Sequence, residues 1–381
     1  MIYLDNAATT LQKPPAVITA VTKALTQLGN AARGNHTGAL TANRLLYDTR
    51  VLVAQLFHAP LPERVVFTAN ATEALNITLN GLFQSGDHII TTDYEHNAVL
   101  RPLYRLQSEQ GIHVTHLPLS PDGPIDYDAL AHAVLPNTKA IVCTHASNVT
   151  GRRLDLYRIG AIAKRHGLLF IVDASQTAGS VPIDMAALGI DVLCFTGHKG
   201  LMGPQGTGGL CFTEQVNIRP WCVGGSGTHS FSPTQPADYP TRLEAGTPNG
   251  HGLAGLNAAL RTVLAMGPTK IGAHEEHLCR LFYEEAASLP LITLYGPDLR
   301  QHPHEAGSIV SLTIDGVDSG RVADVLARRY DIAVRPGIHC APRMHQALGT
   351  QASGTVRFSI GYYTTEEDVR SAIAALQDIV D

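Results

Sequence analysis

Between residues 64 and 212, short apolar runs alternate with amphipathic stretches, and that alternation leaves few folds open to the chain. Strands are expected at Arg64–Phe67, His88–Thr92, His113–Leu117, Ala140–Thr144, Leu168–Ala174, Asp191–Phe195 and Gly208–Phe212. Helices are expected between them at Thr72–Phe83, Ala98–Gln110, Asp126–Leu135 and Leu154–His166, the last followed by Gly167, a natural helix stop. Continuous apolar strands separated by helices imply a mostly parallel sheet covered on both faces, a three-layer α/β domain. Sheets of this kind bind ligands at the carboxyl ends of their strands.

Residues 213–252 read differently. They are rich in Gly, Pro, Ser and Thr, as in GGSGTHSFSPTQPADYP, and form a long loop segment of the sort that is usually functional or disordered. Beyond it, helices are expected at Gly255–Met266, Ile271–Leu289 and Thr365–Ile379, with strands at Ser308–Ile314 and Ala333–Arg335. This is a smaller α+β unit. A helix at Pro14–Leu28 opens the chain. The expected division is a large domain of residues 15–252, with residues 1–14 and 253–381 forming the small one.

Composition narrows the function. A chain of 381 residues, 44% hydrophobic, can bury a large core and suggests two or three domains. Charged residues make up 16% and the net charge is −5, so no basic excess marks a nucleic-acid surface. The start, MIYLDNAATT, lacks the regions of a signal peptide, and runs such as Leu168 to Val172 are too short to span a bilayer. A soluble, cytoplasmic protein is expected. No CxxC pair occurs among the six cysteines, which argues against a zinc or dithiol site, and no metal is expected. Cys143, Cys194 and Cys211 lie in strand-like runs and read as buried small hydrophobes; Cys222 and Cys279 lack a reactive context.

Lys199 stands just past an apolar strand in the glycine-rich DVLCFTGHKGLMGPQGTGGLCF. Glycines let backbone approach a ligand, and Thr196 and His198 can donate to a phosphate. A lysine beside a phosphate site is what a cofactor aldehyde needs. Alone, the lysine would read as a surface loop residue, but three other stretches change the balance. FTANATEALN is a strand, a small-residue turn and a helix starting near Thr72, whose first free N–H groups suit a phosphate. In FIVDASQTAG, Asp173 ends a strand; it could be a helix cap, or it could pair with a protonated pyridine nitrogen. In DYEHNAVL, His96 could be structural or lie flat on an aromatic ring. Together these stretches bring an acid, a lysine, a flat ring and phosphate donors to the strand ends of one sheet, which is what holding pyridoxal phosphate requires.

With these segments in order, the chain resembles the class V aminotransferase family of pyridoxal-phosphate fold type I, and within it the SufS-type cysteine desulfurases and selenocysteine lyases. The resemblance runs through YLDNAATT (3–10), RGNHT (33–37), NATEALN (70–76), EHNAVLRPL (95–103), SNVTG (147–151), DASQTAG (173–179), TGHKG (196–200), EAGTPN (244–249), RPGIHCA (335–341) and VRFSIGYYTTEED (356–368). It implies that Lys199 carries the cofactor, His96 stacks on its ring, Asp173 partners the pyridine nitrogen and Gln176 the phenolic oxygen. It implies phosphate contacts from Ala71, Thr72, Thr196 and His198, and from Thr247 of a second subunit, hence a homodimer. Asn148 and Arg357 resemble the groups that hold the substrate carboxylate, a task the planar guanidinium suits. The chain departs from the family at Thr196, where serine is frequent, and at Pro336, Pro342 and Arg343 around the cysteine.

Cys340 lies in RPGIHCAPRMH, with Pro336 and Gly337 before it and Pro342 after it, so it belongs to a loop. Arg335, His339, Arg343 and His345 are within five residues, and positive neighbours would favour the thiolate. The resemblance implies that Cys340 takes sulfur from L-cysteine as a persulfide, releases alanine, and passes the sulfur to an acceptor protein. The absence of a long Ser/Gly-rich segment before it resembles the SufS type. L-Selenocysteine is an alternative substrate, another class V reaction such as C–S lysis or epimerisation is a further alternative, and a catalytically inert scaffold is the non-enzymatic one.

Overall fold

The computed structural model describes residues 1–31, 36–119, 125–302, 305 and 307–381. Arg33, Gly34 and Asn35 of the RGNHT stretch lie outside the described residues.

The chain opens with β1 (Ile2–Tyr3), α1 (Pro15–Gln27) and α2 (Thr37–Phe57). A seven-stranded sheet follows: β2 (Val65–Thr68), β3 (His88–Thr92), β4 (His113–Leu117), β5 (Thr138–Thr144), β6 (Leu169–Asp173), β7 (Val192–Thr196) and β8 (Gly208–Phe212). Helices α3 (Ala71–Leu82), α4 (Asn97–Gln110), α5 (Tyr127–His132), α6 (Leu156–His166) and α7 (Met185–Leu188) connect its strands. The spatial order is β2-β8-β7-β6-β5-β3-β4, and only β8 runs antiparallel to its neighbours. Apart from the half-buried edge strand β4, its strands are largely buried on both faces, and two apolar clusters, one around Phe57, Phe170 and Phe195 and one around Leu75, Phe83 and Phe212, cover them. The expected α/β architecture with a mostly parallel sheet is the one observed.

Local chemistry sets the helix ends. Asn70, Asp126, Asp155 and Asp184 cap α3, α5, α6 and α7 through side-chain acceptors. Gly111, Gly167 and Gly189 close α4, α6 and α7 in the left-handed conformation. A Cβ at Gly208 would stand 2.8 Å from Asn70 backbone, so this glycine lets the start of α3 settle against β8.

The long segment after β8 has no regular element until α8 (Gly250–Met266). Next come α9 (Pro268–Ala286), β9 (Ile292–Tyr295), β10 (Ile309–Ile314), α10 (Ser319–Tyr330), β11 (Ile332–Ala333), β12 (Arg335–Gly337), α11 (Pro342–Ala347), β13 (Thr355–Ser359) and α12 (Glu366–Val380). Strands β12-β13-β10-β9 form an antiparallel sheet over a separate core around Phe282 and Phe358.

Several features differ from the sequence reading: β1, α7 and α11 were not expected, and the strand expected at Ala333–Arg335 is divided between β11 and β12 of two sheets. Residues 253–266 were expected in the small unit, yet Leu253, Leu256, Leu260 and Val263 of α8 are buried in the large core. Ile271, Ala341 and Met344, further along the chain, are buried in the same core. No element was expected at α2, because buried Thr49 and Arg50 interrupt its apolar stripe. Strand β9 was also not expected; its residues are half-buried or exposed and give a weak apolar signal.

Candidate active site

The carboxyl ends of the parallel strands, the start of α3 and the small unit together enclose a cavity of about 210 Å3. Its lining includes Ala71, Thr72, His96, Asn148, Asp173, Gln176, Thr196, His198, Lys199 and Arg357, ten of the residues expected at the site. Cys340 and Thr247 do not line it.

Lys199 follows β7. Burial pushes its ammonium down to about 8, with Asp173 opposing and Arg357 and Arg335 assisting the shift. Asp173 is the last residue of β6 and is 3% exposed. Its Oδ1 accepts from the Ser175 N–H at 2.9 Å and the Ser175 hydroxyl at 2.5 Å, and Oδ2 has no hydrogen bond among the described residues. His96 caps α4: its Nδ1 accepts from the Ala98 N–H at 3.0 Å, which assigns the ring proton to Nε2. Burial, and then the Lys199 charge, push His96 down to about 4, so it is a neutral ring at pH 7.

One end of the cavity is rich in donors. Ala71 and Thr72 are the first residues of α3, where N–H groups lack intrahelical partners and the helix dipole favours an anion. The Thr196 hydroxyl is buried and has no partner among the described residues. His198 Nδ1 lies 3.1 Å from Thr9 Oγ1. Burial, with Lys199 and Lys13 nearby, pushes His198 down to about 4. A buried hydroxyl without an acceptor, beside a helix N-terminus, fits a phosphate group.

At the other end, Arg357 is 2% exposed. It donates from Nη1 to the Asn148 carbonyl at 2.9 Å and from Nη2 to Asp5 Oδ1 at 3.0 Å, while Nε has no partner. Asn148 Nδ2 donates to the His339 carbonyl at 2.7 Å, and its Oδ1 is buried without a partner. Gln176 Nε2 donates to the Ala7 carbonyl at 3.2 Å. Asp5 and Ala7 belong to YLDNAATT, to which the sequence reading gave no role at the site. Ser175, Thr144 and Asn70, also without an assigned role, line the cavity too.

Cys340 is exposed and lines a neighbouring cleft with Asn76, Asn97, Arg101 and Arg105; Thr72, His96 and Ala98 border both cavities. His339 and Cys340 both take left-handed backbone, φ +51° and +57°, which non-glycine residues adopt at a cost. The Cys340 carbonyl accepts from the Asn97 N–H at 2.7 Å, so the thiol loop is tied to the residue after His96. The expected cationic surroundings are corrected for three of the four residues, Arg343, His339 and His345. Arg343 is turned to Asp93, 2.5 Å away. Burial pushes His339 down to about 3 and also lowers His345, so both are neutral at pH 7. Arg101 in the cleft and Arg335 in the adjoining cavity are the lining arginines without a hydrogen bond or ion pair among the described residues.

Thr247 is exposed in a separate cleft with Glu73, Gly206, Cys222 and Asn249. Cys222 is thus exposed, not a core residue like Cys143, Cys194, Cys211 and Cys279.

The family model for aminotransferase class-V matches residues 2–371. The chain belongs to the class-V aminotransferase family. Within this family it is 35% identical to a probable cysteine desulfurase of Methanothermobacter thermautotrophicus, over 99% of this chain and 94% of that one. It superposes with a TM-score of 0.92 on the apo structure of a cysteine desulfurase from Thermococcus onnurineus NA1, at 32% identity over 100% of this chain and 94% of that one. A C-DES mutant with glycine covalently linked to its PLP cofactor matches at 25% identity and a TM-score of 0.84, over 99% of this chain and 96% of that one. Among the described residues, no helix is long and apolar enough to cross a membrane.

Proposed function

We propose that this class-V chain is a pyridoxal-phosphate-dependent cysteine desulfurase. L-Cysteine and the Cys340 thiolate give L-alanine and a persulfide on Cys340. The substrate's carbon–sulfur bond breaks as a sulfur–sulfur bond forms, and no outside oxidant is consumed. The observation that carries this reading is a cavity at the strand ends lined by both Lys199, its pKa pushed down to about 8, and Asp173.

In this reading Lys199 Nζ holds the cofactor's aldehyde carbon, Asp173 its pyridine nitrogen and Gln176 its phenolic oxygen, with His96 over the ring. The Ala71 and Thr72 end of α3, Thr196 and His198 hold the phosphate. When bound, the cofactor withdraws electrons from the amino acid's Cα and makes its proton acidic. Lys199, partly neutral near pH 8, is suited to take that proton. Arg357 and Asn148 orient the substrate carboxylate. Cys340, exposed in the cleft that shares Thr72, His96 and Ala98 with the cavity, is in this reading open both to substrate sulfur and to a protein that collects it.

A homodimer is part of the proposal. Exposed Thr247 lies on a segment that also exposes Trp221, Val223 and Phe231, apolar groups that a second copy would cover. A sulfur-acceptor protein and a cytoplasmic location complete it; six free cysteines suit a reducing compartment. The test is to offer cysteine and selenocysteine separately and measure alanine, sulfide and selenide. Alanine from cysteine, stoichiometric with sulfur, is expected. Release of alanine from selenocysteine alone would make the chain a selenocysteine lyase instead.

A further inference from the structure

The carbonyl of His198, the residue before Lys199, is held by donors that all come from the N-terminal segment. It accepts from the Thr10 N–H at 3.0 Å and the Thr10 hydroxyl at 3.1 Å. The Thr9 hydroxyl at 3.2 Å and Lys13 Nζ at 3.2 Å complete the set. Lys13 Nζ also donates to Thr10 Oγ1, which orders the two side chains against each other. Elsewhere the lysine loop closes on itself, Gly197 N–H to Thr207, Gly203 N–H to Gly197 and Met202 N–H to Lys199, and Asn249 Nδ2 donates to the Gly206 carbonyl at 2.9 Å. The peptide joining His198 to Lys199 is where the loop depends on the N-terminal segment.

Lys13 is unusual in its own right. It is half-buried, has no carboxylate within ion-pair distance among the described residues, and burial pushes it down to about 8. Covering an ammonium without a counter-charge is costly, and its only partners here are a hydroxyl and this carbonyl. The segment that carries it is closed on itself and tied to the small unit. The Tyr3 hydroxyl donates to the Thr9 carbonyl at 2.8 Å, and the Ala7 N–H donates to Ser359 Oγ at 2.9 Å. A clamp tied to the small unit can therefore hold a loop of the large one.

We propose that Lys13, together with Thr10, is a positioning residue for Lys199: by holding the His198 carbonyl it fixes the peptide from which the Lys199 side chain rises. Neither residue lines the Lys199 cavity, so the effect reaches the cofactor only through that peptide. The inference rests on Lys199 being the cofactor's attachment point.

The test compares Lys13→Met, Thr10→Val and Thr10→Ser in the full-length protein. It follows the rate at which apoprotein takes up pyridoxal phosphate, read at the protein-bound absorbance band, and the apoprotein's melting temperature. Lys13→Met and Thr10→Val are each expected to slow uptake by roughly tenfold, as loss of one good hydrogen bond implies, with little change in melting. Thr10→Ser, which keeps the hydroxyl, should take up cofactor at close to the parent rate. Uptake by Lys13→Met within about twofold of the parent, well below that effect, overturns the proposal. So does a Thr10→Ser variant as slow as Thr10→Val, which would make the methyl's packing the cause. Should Lys13→Met not fold, the Thr10 pair decides. Borohydride trapping of the parent stands apart: an adduct on a lysine other than 199 would sink the functional reading, whereas an adduct on Lys199 with unaffected variants would sink only the clamp.

Discussion

Arg357 donates from Nη2 to Asp5 Oδ1 at 3.0 Å, so the guanidinium assigned to the substrate carboxylate already holds a carboxylate of its own chain. Asp5 keeps a largely buried cation paired while no substrate is present, and burial pushes Arg357 below its usual range against that pairing. An incoming carboxylate must share or displace Asp5, and Arg357 Nε, which has no partner among the described residues, is a donor to receive it.

The two residues should therefore respond in opposite directions. Arg357→Ala should raise the KM for cysteine by about ten- to a hundredfold, from loss of a charge-assisted pair worth roughly 1.5–3 kcal/mol. Asp5→Asn removes the competitor and should lower KM, while the apoprotein melts earlier because a buried guanidinium has lost its counter-charge. Steady-state kinetics and melting curves on both variants test this. A KM raised in Asp5→Asn would mean that Asp5 helps to hold the substrate.

Glu95 gives a pH prediction. It is fully buried; its Oε1 accepts from Thr92 Oγ1 at 2.6 Å and the Thr144 N–H at 3.1 Å, and its Oε2 has no partner. Burial raises its carboxyl from 4.5 to about 8. A folded pKa above the unfolded one means that the folded state binds more protons between those two values, so this group's contribution to stability falls as pH rises through that window. Glu95→Gln is neutral at every pH and keeps an acceptor for both donors. Relative to the parent, its melting temperature should therefore be higher at pH 8 than at pH 5.5. Buried Glu275, also raised to about 8, is left intact and serves as an internal constant. An equal difference at both pH values would show that Glu95 ionises normally.

The sheet was legible because most of its strands are apolar on both faces, and five of the seven, β2, β3, β5, β6 and β7, end at Thr or Asp; β3, β4 and β8 match their expected bounds residue for residue. The cavity was legible for the same reason, since its polar residues follow strand ends. What local pattern could not supply was contact across the chain. Asp5 and Lys13 act on residues more than 180 positions away, and nothing in their own neighbourhood announces it. The part of the cationic environment expected from Arg343 failed on the same ground: Arg343 is close to Cys340 in sequence but turns to Asp93, 250 positions away. Thr247 differs again, because a role in a second subunit's site would leave no contact within one chain.

Asp173→Asn should leave a folded protein with cysteine turnover reduced on the order of a hundredfold or more, the usual cost of removing one preorganised electrostatic group. The amide can still accept from Ser175 N–H and Oγ, so the local turn survives and the loss is electrostatic. The assay is alanine formation, with cofactor content measured alongside. Activity within a few-fold of the parent, with full cofactor occupancy, would reduce Asp173 to a turn residue.

Cys340→Ser separates cofactor binding from sulfur extraction. The residues lining the Lys199 cavity do not include Cys340, so the variant should take up pyridoxal phosphate as the parent does. Serine's hydroxyl is hardly ionised near neutral pH and is a poor nucleophile toward sulfur, so sulfur extraction from cysteine should stop. The loop should tolerate the change. Its left-handed backbone at residues 339 and 340 is held by the Cys340 carbonyl bond to Asn97, which a serine retains. Added cysteine should still perturb the protein-bound absorbance, because Arg357, Asn148 and Lys199 are untouched, while alanine should not accumulate. With selenocysteine some turnover is expected to survive, since selenium leaves more readily without a thiol's help. Unchanged alanine production from both substrates would make Cys340 a structural residue, and the chain would then run another reaction of its family.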